Sequence, residues 1–517
     1  MENINKIKIF KDWLYFGDIS KIPQDIIDIL KLEGIPEKYL DSSIYIILKL
    51  SETPWYTQSQ LLNETKLSIN EMIELNKIIQ NSDFLQNIIV FGGLGKKYWN
   101  TMLSHIKSGN IEKVINHEYS LPLRLTLFPG MSCMYYCGFC GRNQKAKYNT
   151  KEVLEIGAKK FKNAISSLPE GSTISISGGL EPLTNLKLGE IITHGKKLGF
   201  KIPLITNAHM LTPKYVSNQP GIWDLDSLRV SLYGTDEDST FHVTRHPKAY
   251  KLVKNNIIEF LKERNKKKSK LKVGLNYIFI PENIHTVLPL LDYINEINSQ
   301  VEGPGIDFLT IREDFGSVTE INDDIDKSVE GRKYHLQGFL SKKQRKELLS
   351  LFNEFNERRK KECPDVHVDF GYAMVSLSEG ILGKPLARIK GTQMRKSGYP
   401  QLSVAMDSHG DIFLYKEAGF LDRPGNKKFI AGRITENKNI EDVFKEFINK
   451  KHIVNLEEND DRFMDSYDHL ITLLVNQAES DINIGIPFEL GPVKLRSKHY
   501  YGTNTKLSNH WYKDESN

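Results

Sequence analysis

The tightest constraint on this chain is the stretch Leu127-Phe-Pro-Gly-Met-Ser-Cys-Met-Tyr-Tyr-Cys-Gly-Phe-Cys140, where Cys133, Cys137 and Cys140 share the spacing C-x3-C-x2-C. The run before it, Leu123-Arg-Leu-Thr-Leu-Phe128, alternates and is apolar enough to be a strand. The cysteines therefore fall on the loop beyond that strand's carboxyl end, where open α/β sheets and barrels place their chemistry. Three thiolates are an incomplete set. Structural zinc is closed by four ligands, and an ordinary four-iron cluster takes four cysteines. Three on one short loop would hold a [4Fe-4S] cluster with one iron left open. A zinc site completed by a distant residue, or unrelated buried cysteines, are the competing readings. Disulfides are disfavoured, because pairing needs an even set and an oxidising compartment.

The rest of the chain tells what that loop is mounted on. Residues 1–118 read as helical: apolar periodicity runs through Ile22–Leu32 and Ser43–Leu50, and Ser68-Ile-Asn-Glu71 is a capping-box start. From 119 to 340 strands and helices alternate, with strands expected at Leu123–Phe128, Thr173–Ser177, Ile202–Thr206, Leu228–Tyr233, Val273–Phe279 and Ile306–Ile311. Six successive βα units imply a parallel sheet with right-handed crossovers. They fall short of the eight that close a TIM barrel, so the expectation is a partial (βα)6 barrel with an open side. Residues 341–517 form an α+β extension: a helix near 342–360, a strand at Val366–Val375, a hairpin of Leu402–Met406 and Asp411–Tyr415, a helix at Glu441–Ile448, and a loosely held tail beyond Leu490.

Composition excludes more than it proposes. A net charge of +5 over 517 residues is too small to argue for nucleic acid. No apolar run approaches the roughly 20 residues of a membrane span, and the first residues lack a signal-peptide core. Four cysteines, three of them clustered, fit a reducing cytoplasm. Residues 59–79 can be read as helix-turn-helix, but no basic recognition face follows.

The cysteine spacing resembles that of the radical S-adenosylmethionine (SAM) enzymes, in which SAM's amino and carboxylate groups fill the open iron. The second strand's end, Ser177-Gly-Gly-Leu-Glu-Pro-Leu-Thr-Asn185, resembles their Gly-Gly-Glu-Pro motif with one inserted residue, Leu180. Paired glycines let bare backbone approach a ligand. The resemblance implies that Gly178, Gly179 and Glu181 meet SAM's amino group, with Asn207 and Ser231 at later strand ends and Phe139 beside the adenine. The region 401–447 is similar to the C-terminal domain that holds auxiliary clusters in many of these enzymes. Its cysteines are absent, and Tyr415 stands about where one is expected. Arg245 and His242 follow the fourth strand and suit an anionic substrate.

Five runs sharpen the likeness: Ser177–Asn185, Ser231–Gly234, Ile306–Asp314, Leu414-Tyr-Lys-Glu-Ala-Gly-Phe420 and Ile430–Thr435. They look like those of the TDP-4-amino-4,6-dideoxyglucose ammonia-lyases, from about residue 90 to 480. That family's reaction, as the resemblance implies, cleaves SAM to a 5′-deoxyadenosyl radical and takes hydrogen from C3 of the nucleotide-linked sugar. Ammonia then leaves C4, giving a 3-keto-4,6-dideoxy sugar, with a donor such as flavodoxin or ferredoxin supplying the electron. Glu313, Asp314 and Glu417 are the candidate bases or amine partners. Arg312 and Lys416 are candidates for the diphosphate, with Tyr233 and Tyr415 also against the substrate. A peptide-modifying enzyme with a degenerate C-terminal domain is the alternative, and a zinc-stabilised nucleic-acid-binding protein the more distant one. Cys363, alone, reads as a buried thiol.

Overall fold

The computed structural model describes residues 2–18, 20–52, 56–91, 109–137, 140, 147–148, 150–279, 283–313, 341–370, 402–420, 423–450, 454–486 and 491. Ten strands form one sheet: β1 Arg124–Phe128, β2 Thr173–Ile176, β3 Pro203–Thr206, β4 Ser227–Leu232, β5 Lys272–Phe279, β6 Phe308–Glu313, β7 His367–Phe370, β8 Ser403–Asp407, β9 Asp411–Phe413 and β10 Ile430–Arg433. Their order is β10-β9-β8-β1-β2-β3-β4-β5-β6-β7. The six expected βα strands stand side by side and parallel. Two further strands extend the parallel run, β7 beside β6 and β8 beside β1. The hairpin β8–β9 and its antiparallel neighbour β10 thus continue the barrel sheet.

Alternation decides what each face of the sheet does. On the helix side, Leu125, Leu127, Ile174, Ile176, Leu228, Val230, Leu275, Tyr277, Leu309 and Ile311 join one apolar core. It is covered by helices that include Thr150–Ser166, Leu188–Lys197, Ala249–Lys266, Val287–Ser299 and Lys342–Glu362. A strand buried on both faces normally reads as continuously apolar. Here the opposite, concave face keeps buried polar residues, among them Thr126, Asn276 and Thr310.

A second core is helical. Gln24–Leu32, Leu40–Glu52, Gln58–Thr65 and Ile69–Asn81 bury Ile26, Leu30, Ile47, Leu50, Leu61 and Leu75 against one another. Ser68 and Glu71 make the expected reciprocal cap, with Ser68 Oγ accepting from the Glu71 N–H at 3.3 Å. The helix Ser466–Asn483 inserts Tyr467, Ile471, Leu474 and Val475 into this same core, so the chain's far end helps to build its beginning. The tail beyond Gly491 lies outside the described residues. No helix among the described residues is long and apolar enough to cross a membrane.

Candidate functional site

Phe128, the last residue of β1, is the hub around which the candidate site is assembled. Gly178 and Gly179, both at positive φ, lie so close to its ring that a Cβ on Gly178 would sit 2.8 Å from it. Gly419 touches the ring from the other side, where a Cβ would meet it at 2.5 Å. Phe420 packs against it at 5.9 Å between centroids. The glycine pair after β2 and the Lys416–Gly419 turn after β9 therefore flank the root of the cysteine loop. Side chains at these glycines would prise the three segments apart.

The three cysteines are free thiols, Cys137 buried and Cys133 and Cys140 half-buried. Their loop is held on both sides. The Tyr136 N–H donates to Thr244 O at 2.9 Å, bracing it on the helix Glu237–Thr244, and Glu181 N donates to Ser132 O at 2.9 Å. Asn207 Nδ2 points at Cys133 Sγ at 3.7 Å and at Met134 Sδ at 3.3 Å. The phenols of Tyr135 and Tyr233 lie near enough to the cysteines that burial first, and then thiolate charge, pushes both well above the usual tyrosine range. Tyr135 Oη lies 3.1 Å from His209 Nδ1, and His209 meets His246 edge-on at 4.9 Å.

This loop fits an iron–sulfur cluster better than a single metal ion. Zinc with bonds of about 2.3 Å to sulfur would draw its ligands close together. Among the described residues, only Asp407, His409 and Asp411 form a group of three His, Cys, Asp or Glu side chains with ligand atoms all within 4.8 Å. The acidic trio is no counterpart, because Arg433 already holds Asp411 through two bonds, at 2.6 and 2.8 Å.

Glu181 is locked rather than loose. Its carboxylate accepts from Leu183 N at 3.1 Å, from Asn207 N at 2.8 Å and from the Thr206 hydroxyl, tying the end of β2 to the end of β3. Burial nevertheless pushes it up to about 7, against the pull of those donors. A cation arriving at its remaining lone pair would stabilise the charged form.

The two runs singled out for substrate are linked electrostatically at Glu417. Arg312 near the carboxyl end of β6 is exposed, and its charge reaches Glu417 in the Lys416–Gly419 turn. Glu417 lies 3.6 Å from Arg423, and burial raises its carboxyl while Lys416, Arg423 and Arg312 pull it down. Lys416 Nζ lies 3.3 Å from Asp465, which Arg124 also grips at 3.1 Å. Asp465 is held well below the usual carboxylate range by Arg124 and Lys416, against its burial.

Not every expected residue reaches this space. Tyr415 is completely buried in an apolar cluster with Phe128, Ala405, Phe413 and Phe429, and its ring meets Phe429 edge-on at 5.2 Å. Its register after β9 turns it into the packing, so the structure places it in the core and not against a ligand. Glu313 closes β6 opposite Phe279, while Asp314 and Phe139 lie outside the described residues. Ser231 is half-buried near the end of β4, and Tyr233 follows that strand. Cys363 is a buried thiol that donates to Asn295 Oδ1, and burial pushes it to about 11. Sequence reading passed over Arg423, which is buried beside Glu417, and the buried Asn276 of β5 and Thr310 of β6. The available signal was a polar side chain at every second position of strands whose other positions are apolar.

No family model matches the chain. It is 34% identical over 399 residues to the dTDP-4-amino-4,6-dideoxy-D-glucose ammonia-lyase of Streptomyces venezuelae, covering 77% of this chain and 78% of that one. Among solved structures it is similar to Streptococcus suis SuiB bound to S-adenosylmethionine, at 17% identity and a TM-score of 0.40, covering 75% of this chain and 77% of that one. It is also similar to anSMEcpe with bound AdoMet and the Cp18Cys peptide, at 15% identity and a TM-score of 0.41, covering 64% and 82%.

Proposed function

The chain belongs to the dTDP-4-amino-4,6-dideoxy-D-glucose ammonia-lyase family, and from that premise we propose that it deaminates a nucleotide-linked 4-amino-4,6-dideoxy sugar to a 3-keto-4,6-dideoxy product. The observation that carries the reading is Glu417, which lies 3.6 Å from Arg423, follows Lys416 and is within electrostatic reach of Arg312. An amino sugar on a diphosphate needs cations for the phosphates and a carboxylate for the amine or the leaving proton. One enclosure offers both.

Cys133, Cys137 and Cys140 would hold a [4Fe-4S] cluster, and the Gly178-Gly179 turn with Glu181 and Asn207 would receive SAM. Together these groups supply a reducing electron and a carbon-centred hydrogen abstractor. The chain's own residues do the rest. Glu181, locked by three donors, is a preorganised acceptor for an ammonium. Glu417, raised by burial and flanked by Lys416 and Arg423, can take a proton from a sugar hydroxyl and pass it to the departing amine, which leaves as ammonia, while the two cations stabilise the carboxylate before and after. Arg312 and Lys416 orient the diphosphate, which fixes the ring over the site.

The test is direct. Anaerobically reconstituted protein, given SAM, reductant and a nucleotide 4-amino-4,6-dideoxy sugar, should release one ammonia per 3-keto sugar formed. SAM cleavage without ammonia from any such sugar, alongside modification of a peptide, would sink the proposal.

A further inference from the structure

The concave face of β4–β7 is built in layers. At the bottom the Phe308 ring lies over Gly274, where a Cβ would come within 2.3 Å of it, and the Arg229 guanidinium stands 5.8 Å from the same ring. One pleat above, strand register aligns Ser231 with Asn276, Asn276 with Thr310, and Thr310 with Asp369. One pleat higher on β6 is Arg312. Neighbouring strands lie roughly 4.8 Å apart, so the middle layer is an evenly spaced row of hydrogen-bonding groups.

Leu275, Tyr277, Leu309 and Ile311 occupy the helix-side core, which turns Asn276 and Thr310 to the concave side. Asn276 is 4% exposed and Thr310 0%. Neither Asn276 Oδ1 nor Thr310 Oγ1 has a hydrogen-bond partner among the described residues. A buried donor or acceptor left unmade costs about 1–3 kcal/mol. A folded chain carrying two such groups in adjacent register, over a closed floor and beneath a cation, has a place prepared for a hydroxylated ligand.

We propose that Asn276 and Thr310, with Asp369 beside them, read the ring hydroxyls of the substrate sugar while Arg312 above holds its phosphates. This rests on the amino-sugar reading and deepens it, because it names the residues that choose the sugar. The matching chemistry is a hydroxylated ring, and two such rings are available, the hexose and the ribose of SAM. The row favours the hexose, since it runs on to β7, away from the β1–β2 ends where the cysteine loop and the Gly178-Gly179 turn lie. A site built around substrate hydroxyls rejects analogues lacking them, because its own polar groups are then stranded.

The experiment is Thr310→Val in reconstituted protein, with Thr310→Ser and Asn276→Leu in parallel. Affinities are measured for SAM, for the free nucleoside diphosphate and for the nucleotide amino sugar. Thr310→Val should weaken the nucleotide sugar about three- to tenfold, as loss of one hydrogen bond does. Free nucleotide and SAM should bind as before, and Thr310→Ser should restore the sugar. The unliganded Tm should hold or rise, since the hydroxyl has no partner to lose. A sugar analogue lacking one ring hydroxyl should bind wild type and Thr310→Val alike. Weakened SAM with unchanged sugar would assign the row to the ribose and overturn the inference. So would an equal loss for nucleotide and nucleotide sugar, or a variant that unfolds. Wild type that deaminates the sugar while Thr310→Val binds it normally overturns this inference alone. Wild type that neither binds nor deaminates any nucleotide amino sugar overturns both readings.

Discussion

One face of one sheet is treated in two opposite ways. On the concave side of β1, β8 and β9 the chain seals itself: Phe128, Ala405, Phe413, Tyr415, Ala418 and Phe429 pack into an apolar cluster, with the Lys416–Gly419 turn laid across it. On the concave side of β4–β7 the same surface carries Asn276, Thr310, Asp369 and Arg312. The sealed half provides stability and holds Glu417 in place. The polar half forgoes apolar packing and keeps buried hydrogen-bonding groups on its concave face. Stability and recognition are thus separated along the sheet, and substitutions in the two halves should have different signatures.

The largest effect is expected where the halves join. The cysteine loop leaves β1 and is braced on Thr244 and beside Asn207. Replacing Cys133, Cys137 or Cys140 by Ala should remove the iron and abolish SAM cleavage, whereas Cys363→Ala should keep both. Iron content and 5′-deoxyadenosine formation decide it; iron lost on replacing Cys363 would refute the cluster assignment. Next comes Glu417, the group that the sealed half presents to the polar half. Glu417→Gln should slow ammonia release about 10²–10⁴-fold. Nucleotide-sugar affinity should change far less, since Arg312 and Lys416 remain. Equal losses in kcat and affinity would make Glu417 a structural ion-pair partner of Arg423.

The sealed half is probed by Phe429→Ala. Phe429 is fully buried, touching Tyr415 at 5.2 Å and Phe463 at 4.9 Å between centroids. Deleting such a ring costs about 3–5 kcal/mol. Denaturant unfolding should show that loss, while Thr310→Val across the sheet shows none. If both lose stability alike, the two halves are packed to the same end and the contrast fails.

How much of this was legible beforehand follows from range. The barrel strands β1–β6 were read to within two residues, because each carries apolar residues at alternate positions toward its helices. The hairpin β8–β9 was equally plain, since a His409-Gly410 turn joins two short runs. What alternation cannot show is pairing between distant segments: β8 lies parallel beside β1, with Ser403 opposite Arg124. That pairing carries Glu417 inward and swings Tyr415 into the core. The row of Asn276 and Thr310 was overlooked for a related reason, because a polar residue in a strand looks the same whether it faces water or an enclosed ligand space. The helix Glu237–Thr244, begun by an Asp236 cap accepting from Ser239 N at 2.7 Å, carries too few apolar residues for its periodicity to show.

The smallest effect concerns Asp407, a buried carboxyl at the seam of the sealed half. Asp407 ends β8 at 4% exposure and accepts from Tyr148 Oη at 3.0 Å, His409 N at 2.9 Å and Asp411 N at 3.0 Å. Burial, then the neighbouring Asp411 charge, pushes it up to about 7. The sign follows from linkage: a carboxyl raised on folding contributes stability in full below its unfolded value near 4, and that stability is lost as pH rises toward 7. Asp407→Asn removes the titration and can keep the contacts, its Oδ1 accepting from the two backbone N–H groups and its amide donating to Tyr148 Oη. Wild type should therefore lose stability relative to the variant between pH 5 and 8, by on the order of 2–4 kcal/mol. His409 Nδ1 lies 3.7 Å from Asp407, so the comparison is repeated with His409→Gln in both proteins. Parallel stability curves for wild type and Asp407→Asn would mean that Asp407 stays charged when folded. The sealed half would then tolerate charge as readily as the polar one, and the division between them would rest on shape alone.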